Sequence, residues 1–247
     1  LTDHVESSNS YNVASEVSPD GNKVAMYSNQ NGIMSLYIIS LENGEIIKKI
    51  VSSQKTSQFE ELHFLKPGAT WSLDSKKIAF AVKSGSSDAL MIVDIDNTKK
   101  IIKKTFNLKG IYKPEWNPLN NSIAFIGHNN FSSDVYIYNL DNEKQINITD
   151  DIFSDTEPSW SPDGKMIAFV SDRGGLSKNG KTTAKDMINH KYDQKDIYTI
   201  DVLSGNVSRI TETDYNENYP IFAHTDNKLF YTADYQGTRN LFRHDFN

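Results

Sequence analysis

The sequence predicts an all-β fold, a β-propeller of four-stranded antiparallel blades, on three observations. An aromatic–turn–strand motif recurs five times without internal gaps, each copy leads into further strand-like segments, and the recurrence suits the blade period of about 40–50 residues. The copies are VSPDGNKVAMYS from Val17, WSLDSKKIAFAV from Trp71, WNPLNNSIAFIG from Trp116, WSPDGKMIAFVS from Trp160 and FAHTDNKLFYTA from Phe222. Their starts lie 54, 45, 44 and 62 residues apart, so five repeats are visible and the fourth carries an insertion.

Within a repeat the first element is an inner strand that ends at the aromatic, expected over 15–18, 70–72, 115–117, 159–161 and 221–223. A tight turn follows. In SPDG, Pro162 presets its own φ, Asp163 bonds to nearby backbone, and Gly164 accepts φ > 0. The place of Gly164 is taken elsewhere by Gly21, Ser75, Asn120 and Asp226; Asn and Asp tolerate the left-handed region, whereas Ser75 fits least well. The second strand is the apolar run typified by MIAFVS.

The third strand reads LYIISL from Leu36, LMIVDI from Leu90, VYIYNL from Val135, IYTIDV from Ile197 and LFRHDF from Leu241, all rich in β-branched and aromatic residues. A fourth strand comes after a polar turn: 45–51, 100–106, 144–149 and 206–211. One propeller domain over 1–247 is expected, with blades at about 15–62, 63–112, 113–155, 156–217 and 218–247. Residues 1–3 read as the end of an outer strand and 175–195 as an insertion, outside which helix is nearly absent.

Composition narrows the function classes. A net charge of −6 with Lys and Arg scattered among more numerous acids argues against a nucleic-acid partner. Absence of cysteine removes disulfides, thiolate metal sites and cysteine nucleophiles. No apolar run approaches the roughly 20 residues of a membrane helix, so no membrane span is expected. The chain starts at Leu1 without a signal peptide, which reads as a processed chain or part of a longer one.

The WSPDGxxIAF signature at Trp160, followed by SDRGG (Ser171 to Gly175), DIY (Asp196 to Tyr198) and RIT (Arg209 to Thr211), resembles the TolB-type propeller repeat over nearly the whole chain. That resemblance implies six or seven blades, so a chain cut from a larger propeller is favoured over a closed five-bladed ring. It also implies an extracytoplasmic, periplasmic or cell-surface location. Similar blades occur in prolyl oligopeptidase-type hydrolases and in propeller lyases, so fold does not by itself decide function.

The residues weigh against chemistry within this chain. No Gly-x-Ser-x-Gly elbow occurs, since GLSKN around Ser177 and SGSSD at Ser84 to Asp88 both fail the pattern. His4, His63, His128, His190, His224 and His244 form no metal-binding pair at close spacing. TDDIFSDTE (Thr149 to Glu157) lacks the spacing of a calcium loop and reads as a solvated segment. Trp71, Trp116 and Trp160 repeat with the fold's own period, which points to blade packing; Asp172 and Arg173 read as a contact between blades. The Asn-x-Ser/Thr triplets at Asn130, Asn147 and Asn206 are expected by chance in an Asn-rich chain. No cofactor is expected.

The insertion is what breaks the repeat. Loops joining second to third strands share a face with loops between blades, so residues 175–195 are expected beside Lys113, Glu157 and Tyr219, each three residues before an inner-strand aromatic. That face is expected to bind a protein or peptide partner through Lys113, Glu157, Asp172, Arg173, His190, Tyr192 and Tyr219. The expectation is a non-catalytic binding scaffold. Its alternatives are a substrate-gating propeller of a hydrolase or a metal-dependent lyase.

Overall fold

A computed structural model describes residues 11–53, 61–62, 68–175, 186–224 and 228–246. The expectations for Leu1 to Asp3, His4, His63, Ser177 and Asp226 lie outside the described residues. The fold is all-β, a propeller of four-stranded antiparallel blades with strands ordered in each sheet largely as they follow in the chain. The chain divides into two compact units, Leu1–Trp116 and Asn117–Asn247.

The first unit begins with β1 (Asn12–Val17), β2 (Lys23–Ser28), β3 (Ser35–Ser40) and β4 (Ile46–Ser52), paired in that order. Its second sheet contains β5 (Glu61–Leu62), β6 (Ala69–Trp71), β7 (Lys77–Ser84), β8 (Ser87–Asp94) and β9 (Ile101–Thr105). Here the inner strand is split, since β5 and β6 both pair with β7. The unit ends with β10 (Gly110–Trp116), the inner strand of the third repeat. Trp71, Ile78, Phe80, Val82 and Met91 join Leu36 and Ile38 in one apolar core.

The second unit continues with β11 (Ser122–His128), β12 (Ser133–Asn139) and β13 (Lys144–Asn147). A four-stranded sheet follows: β14 (Asp155–Trp160), β15 (Met166–Ser171), β16 (Asp196–Asp201) and β17 (Val207–Arg209). The last sheet has three strands among the described residues, β18 (Glu217–Phe222), β19 (Lys228–Tyr235) and β20 (Thr238–Asp245). The described helix is one 3₁₀ turn, Asp186–Asn189, inside the insertion.

Central strands such as β7 and β8 are buried along nearly their whole length, whereas the outer strand β4 is exposed or half-buried throughout. Apolar runs such as IAFAV are therefore continuous because both faces are covered. The repeated aromatics are packing residues: Trp71, Trp116, Trp160 and Phe222 are all buried, and Val17 is the exposed exception. In two pairs of neighbouring inner strands the side-chain hydroxyl of the residue before one aromatic accepts the backbone N–H of the next repeat's aromatic. Thr70 Oγ1 takes Trp116 N–H at 2.9 Å in the first unit, and Ser159 Oγ takes Phe222 N–H at 3.5 Å in the second.

Two expectations need correction. The inner strands β1, β10, β14 and β18 start three or more residues earlier than the aromatic motif indicates, whereas β6 starts one residue earlier, and each ends at the first residue of its motif. In β1, β14 and β18 pairing continues through a bulge, which in β14 lies between Thr156 and Ser159. In the turns, Gly21, Ser75 and Gly164 do have φ of 71°, 56° and 65°, but Asn120 is not left-handed. There the Asn117 carboxamide accepts the N–H groups of Leu119 and Asn120, which holds the turn in another form.

Candidate functional site

The second unit carries a cleft of about 550 Å³ lined by three segments: Asp172–Gly175, the insertion's return arm at His190, Lys191 and Gln194, and Arg209 with Glu212–Asp214. Its floor follows from the repeat. Just after β17, the Thr211 hydroxyl of the RIT motif accepts the Ile197 N–H at 2.8 Å, as Thr149 of NIT accepts Val135 N–H at 2.9 Å. The residue two before each threonine reaches the carboxylate that opens the third strand: Arg209 to Asp196 at 2.8 Å, Asn147 to Asp134 at 3.2 Å. These triplets are thus strand-fixing devices.

Arg173 is the buried centre. Its Nη2 meets Asp155 Oδ1 at 2.6 Å, Nη1 lies 3.2 Å from Asp151 Oδ2, and Nε donates to Ser171 Oγ at 2.9 Å. The guanidinium carbon sits 5.0–5.5 Å from the ring centres of Phe153, Phe169 and Tyr198. The segment read as solvated is so only in part: Thr149, Phe153 and Asp155 are buried, whereas Asp150, Ile152 and Ser154 are exposed. Burial pushes Asp151 up to about 6, against the opposing pull of Arg173. Asp134, Asp151 and Asp155 bring carboxylate oxygens within 4.8 Å of one another, and Arg173 supplies positive charge to two of them.

Beside it, Asp172 Oδ1 accepts the Ser154 N–H at 2.8 Å and Oδ2 lies 3.7 Å from His190 Nε2. Burial raises Asp172, offset by that N–H and by His190. The imidazole is wedged between Phe153 and Tyr192, with ring centres at 5.4 and 4.7 Å. Gln194 then clips the arm down, donating to the carbonyls of Thr213 and Tyr215 at 3.1 and 2.7 Å.

Asp172, Arg173, His190 and Tyr192 thus stand together. Glu157 and Tyr219 form a second pair, the Tyr219 N–H donating to Glu157 Oε2 at 2.6 Å. Lys113 belongs to the other unit, where its charge acts on Glu16 and Glu115. Lys113, Glu157 and Tyr219 share an unexpected property: each precedes a proline on an inner strand and has φ of 49–55°. The Glu157 and Tyr219 positions are the bulges of β14 and β18. Arg209, Glu212 and Asp214 line the cleft without a site signal in the sequence, apart from the RIT motif that contains the first.

The family model described as "TolB beta propeller domain" matches residues 54–187, more than half of the chain. The chain belongs to that family. The TolB-type propeller is 28% identical over 142 residues to a dipeptidyl-peptidase 5 of Porphyromonas gingivalis, covering 53% of this chain and 19% of that protein. It is 32% identical over 121 residues to the Tol-Pal system protein TolB of Ruthia magnifica, covering 48% and 23%. Among solved structures it resembles TolB from Acinetobacter baumannii, with a TM-score of 0.73 at 20% identity over 95% of this chain and 52% of that one. The chain spans about half or less of these proteins' lengths.

Proposed function

We propose that this TolB-type propeller is a non-catalytic, extracytoplasmic scaffold that binds a protein or peptide segment at the cleft of its fourth blade. The observation that carries the reading is the cleft itself: the insertion that breaks the repeat returns across the blade and forms one wall, clipped by Gln194 and anchored by buried His190. Rigid strands with one elaborated loop are the usual layout for recognition. The hydroxyl among the lining residues, Thr213, is bonded to Glu217 and to the Tyr215 N–H, which is the arrangement of a structural rather than a nucleophilic group. Outside the cleft lining, Tyr192, whose ring packs on that of His190, and Tyr219 on β18 are exposed on this unit and would extend the contact area in the manner of binding hot spots.

The test is affinity capture on the immobilised chain, repeated with Tyr192→Ala/Tyr219→Ala, whose substitutions are at exposed side chains. A partner retained by the parent chain and lost by the variant, with unchanged circular dichroism, is expected. Equal retention by both would overturn the site. The second reading, a substrate-gating propeller, is favoured by the likeness to a dipeptidyl-peptidase. It requires a Gly-x-Ser-x-Gly nucleophile outside this chain, which the sequence of the full gene product decides.

A further inference from the structure

The cleft's hydrogen-bonding and charge are lopsided in opposite senses, and together they specify a ligand. Among the described residues, His190 Nε2 and Arg209 Nε are buried nitrogens without a hydrogen-bond partner, and both residues line the cleft. The His190 side chain is only 4% exposed, so bulk water does not readily satisfy it. Buried polar groups left unpaired are costly, and two such nitrogens on cleft-lining residues, Arg209 Nε and His190 Nε2 in the tautomer that carries its proton beside Asp172, call for acceptor oxygens.

Charge points the other way. Arg173 faces Asp151 and Asp155, and Arg209 faces Asp196 and Glu212, so each fixed cation meets two carboxylates. Among the described residues Asp172 is paired with His190 alone, and Asp214 stands exposed on the rim. Lys191 is the remaining cation of the lining. Acceptors with negative charge would therefore enter an acidic neighbourhood, whereas neutral carbonyls carried on a cationic chain satisfy both demands.

We propose that the cleft takes an extended basic segment of a protein partner, its main-chain carbonyls accepting from His190 and Arg209 and its Lys or Arg side chains lying against the acidic rim of Glu212 and Asp214. The assignment rests on the binding reading above and names the chemistry of that site's partner. The carbonyls exploit donors already in place, and the cationic side chains neutralise the excess carboxylate charge without displacing either arginine from its pair.

The probes are two fluorescein-labelled peptides, acetylated and amidated, of Gly and Ser with either lysine or glutamate at alternate positions. Fluorescence anisotropy with the full chain at low salt should show the lysine peptide binding at least about 10-fold more tightly. Glu212→Gln/Asp214→Asn should weaken it about fivefold or more, whereas Glu42→Gln/Asp141→Asn, at exposed turn residues, should not. His190→Phe keeps ring packing but removes the nitrogen and should cost about fivefold. Should that variant misfold, Arg209→Lys, which keeps the charge but removes Nε, tests the second donor and should also weaken binding; lysine-peptide binding unchanged by the folded variant overturns the proposal. Absence of lysine-peptide binding, equal binding of the two peptides, or insensitivity to the Glu212/Asp214 change overturns the proposal. Partner capture that depends on Tyr192 and Tyr219 while the lysine peptide fails would overturn the basic-segment assignment and leave the binding reading standing.

Discussion

Arg173 Nη2 and Asp155 Oδ1 meet at 2.6 Å with side chains 1% and 0% exposed, inside a frame of three aromatic rings. Such a pair stabilises little relative to water, yet losing one member strands the other in a medium that cannot solvate it. Arg173→Ala should cost about 3–5 kcal/mol, lowering the melting temperature by roughly 10 °C. Arg173→Lys should not rescue it, because an ammonium cannot fork between Asp151 and Asp155 while lying against the rings. A drop of only a degree or two in thermal denaturation would place the pair outside the stabilising core.

Asp151 behaves in the opposite sense. Burial raises its carboxyl from 3.8 to about 6 even with Arg173 adjacent, so the folded state holds a proton that the unfolded chain releases. Stability from this group is complete below pH about 4 and is lost as pH rises toward about 6. Asp151→Asn, neutral at every pH, should flatten the decline between pH 4 and 6 and match or exceed the parent's melting temperature at pH 8. Denaturation curves across that range check it; an unchanged slope, or a variant less stable at pH 8, would refute the assignment.

Blade order and packing were legible in the sequence because one period governed both. Trp71, Trp116 and Trp160 recur with the repeat and are buried as that recurrence requires. Strand starts were less legible: the bulges at Glu157 and Tyr219 put non-glycine residues at positive φ before proline, where local preference argues for a break. The cleft was half visible. Asp172, Arg173 and His190 were marked by the broken repeat, but the partners Asp151 and Asp155 lie in a run whose polar composition looks solvated. The approach of Arg173 to Asp151 and Asp155 is a tertiary contact that the local composition of that run does not announce.

Lys113 has a role that its sequence position did not disclose. In the first unit, burial raises Glu16 to about 7 and Glu115 well above its ordinary value; Lys113 pulls both down. Raised carboxyls in the folded state mean stability that falls as pH climbs from about 4.5 through 7. Lys113→Met removes the opposing charge, leaves the same φ demand on a side-chain-bearing residue, and should deepen that fall. Urea midpoints should nearly coincide at pH 4.5 and separate at pH 8, the variant being weaker. An equal offset at both pH values would indicate lost packing instead.

The β19–β20 hairpin offers the converse, a site where stability can be added. Tyr235 pairs with Thr238 across a two-residue turn, and both turn residues are left-handed, Gln236 at φ 51° and Gly237 at 75°. A turn with φ > 0 at both central positions follows the right-handed twist of its strands and favours Asn-Gly, since asparagine enters this region at lower cost than glutamine. The Gln236 side chain makes one long contact, 3.3 Å to the Tyr235 hydroxyl at the surface, so little is lost on replacing it. Gln236→Asn should raise stability by about 0.5 kcal/mol and the melting temperature by roughly 1–2 °C. The Tyr235–Phe242 ring contact on the same hairpin should persist and can be followed by near-ultraviolet circular dichroism. A lowered melting temperature would mean that the glutamine holds the turn through contacts its backbone geometry does not require.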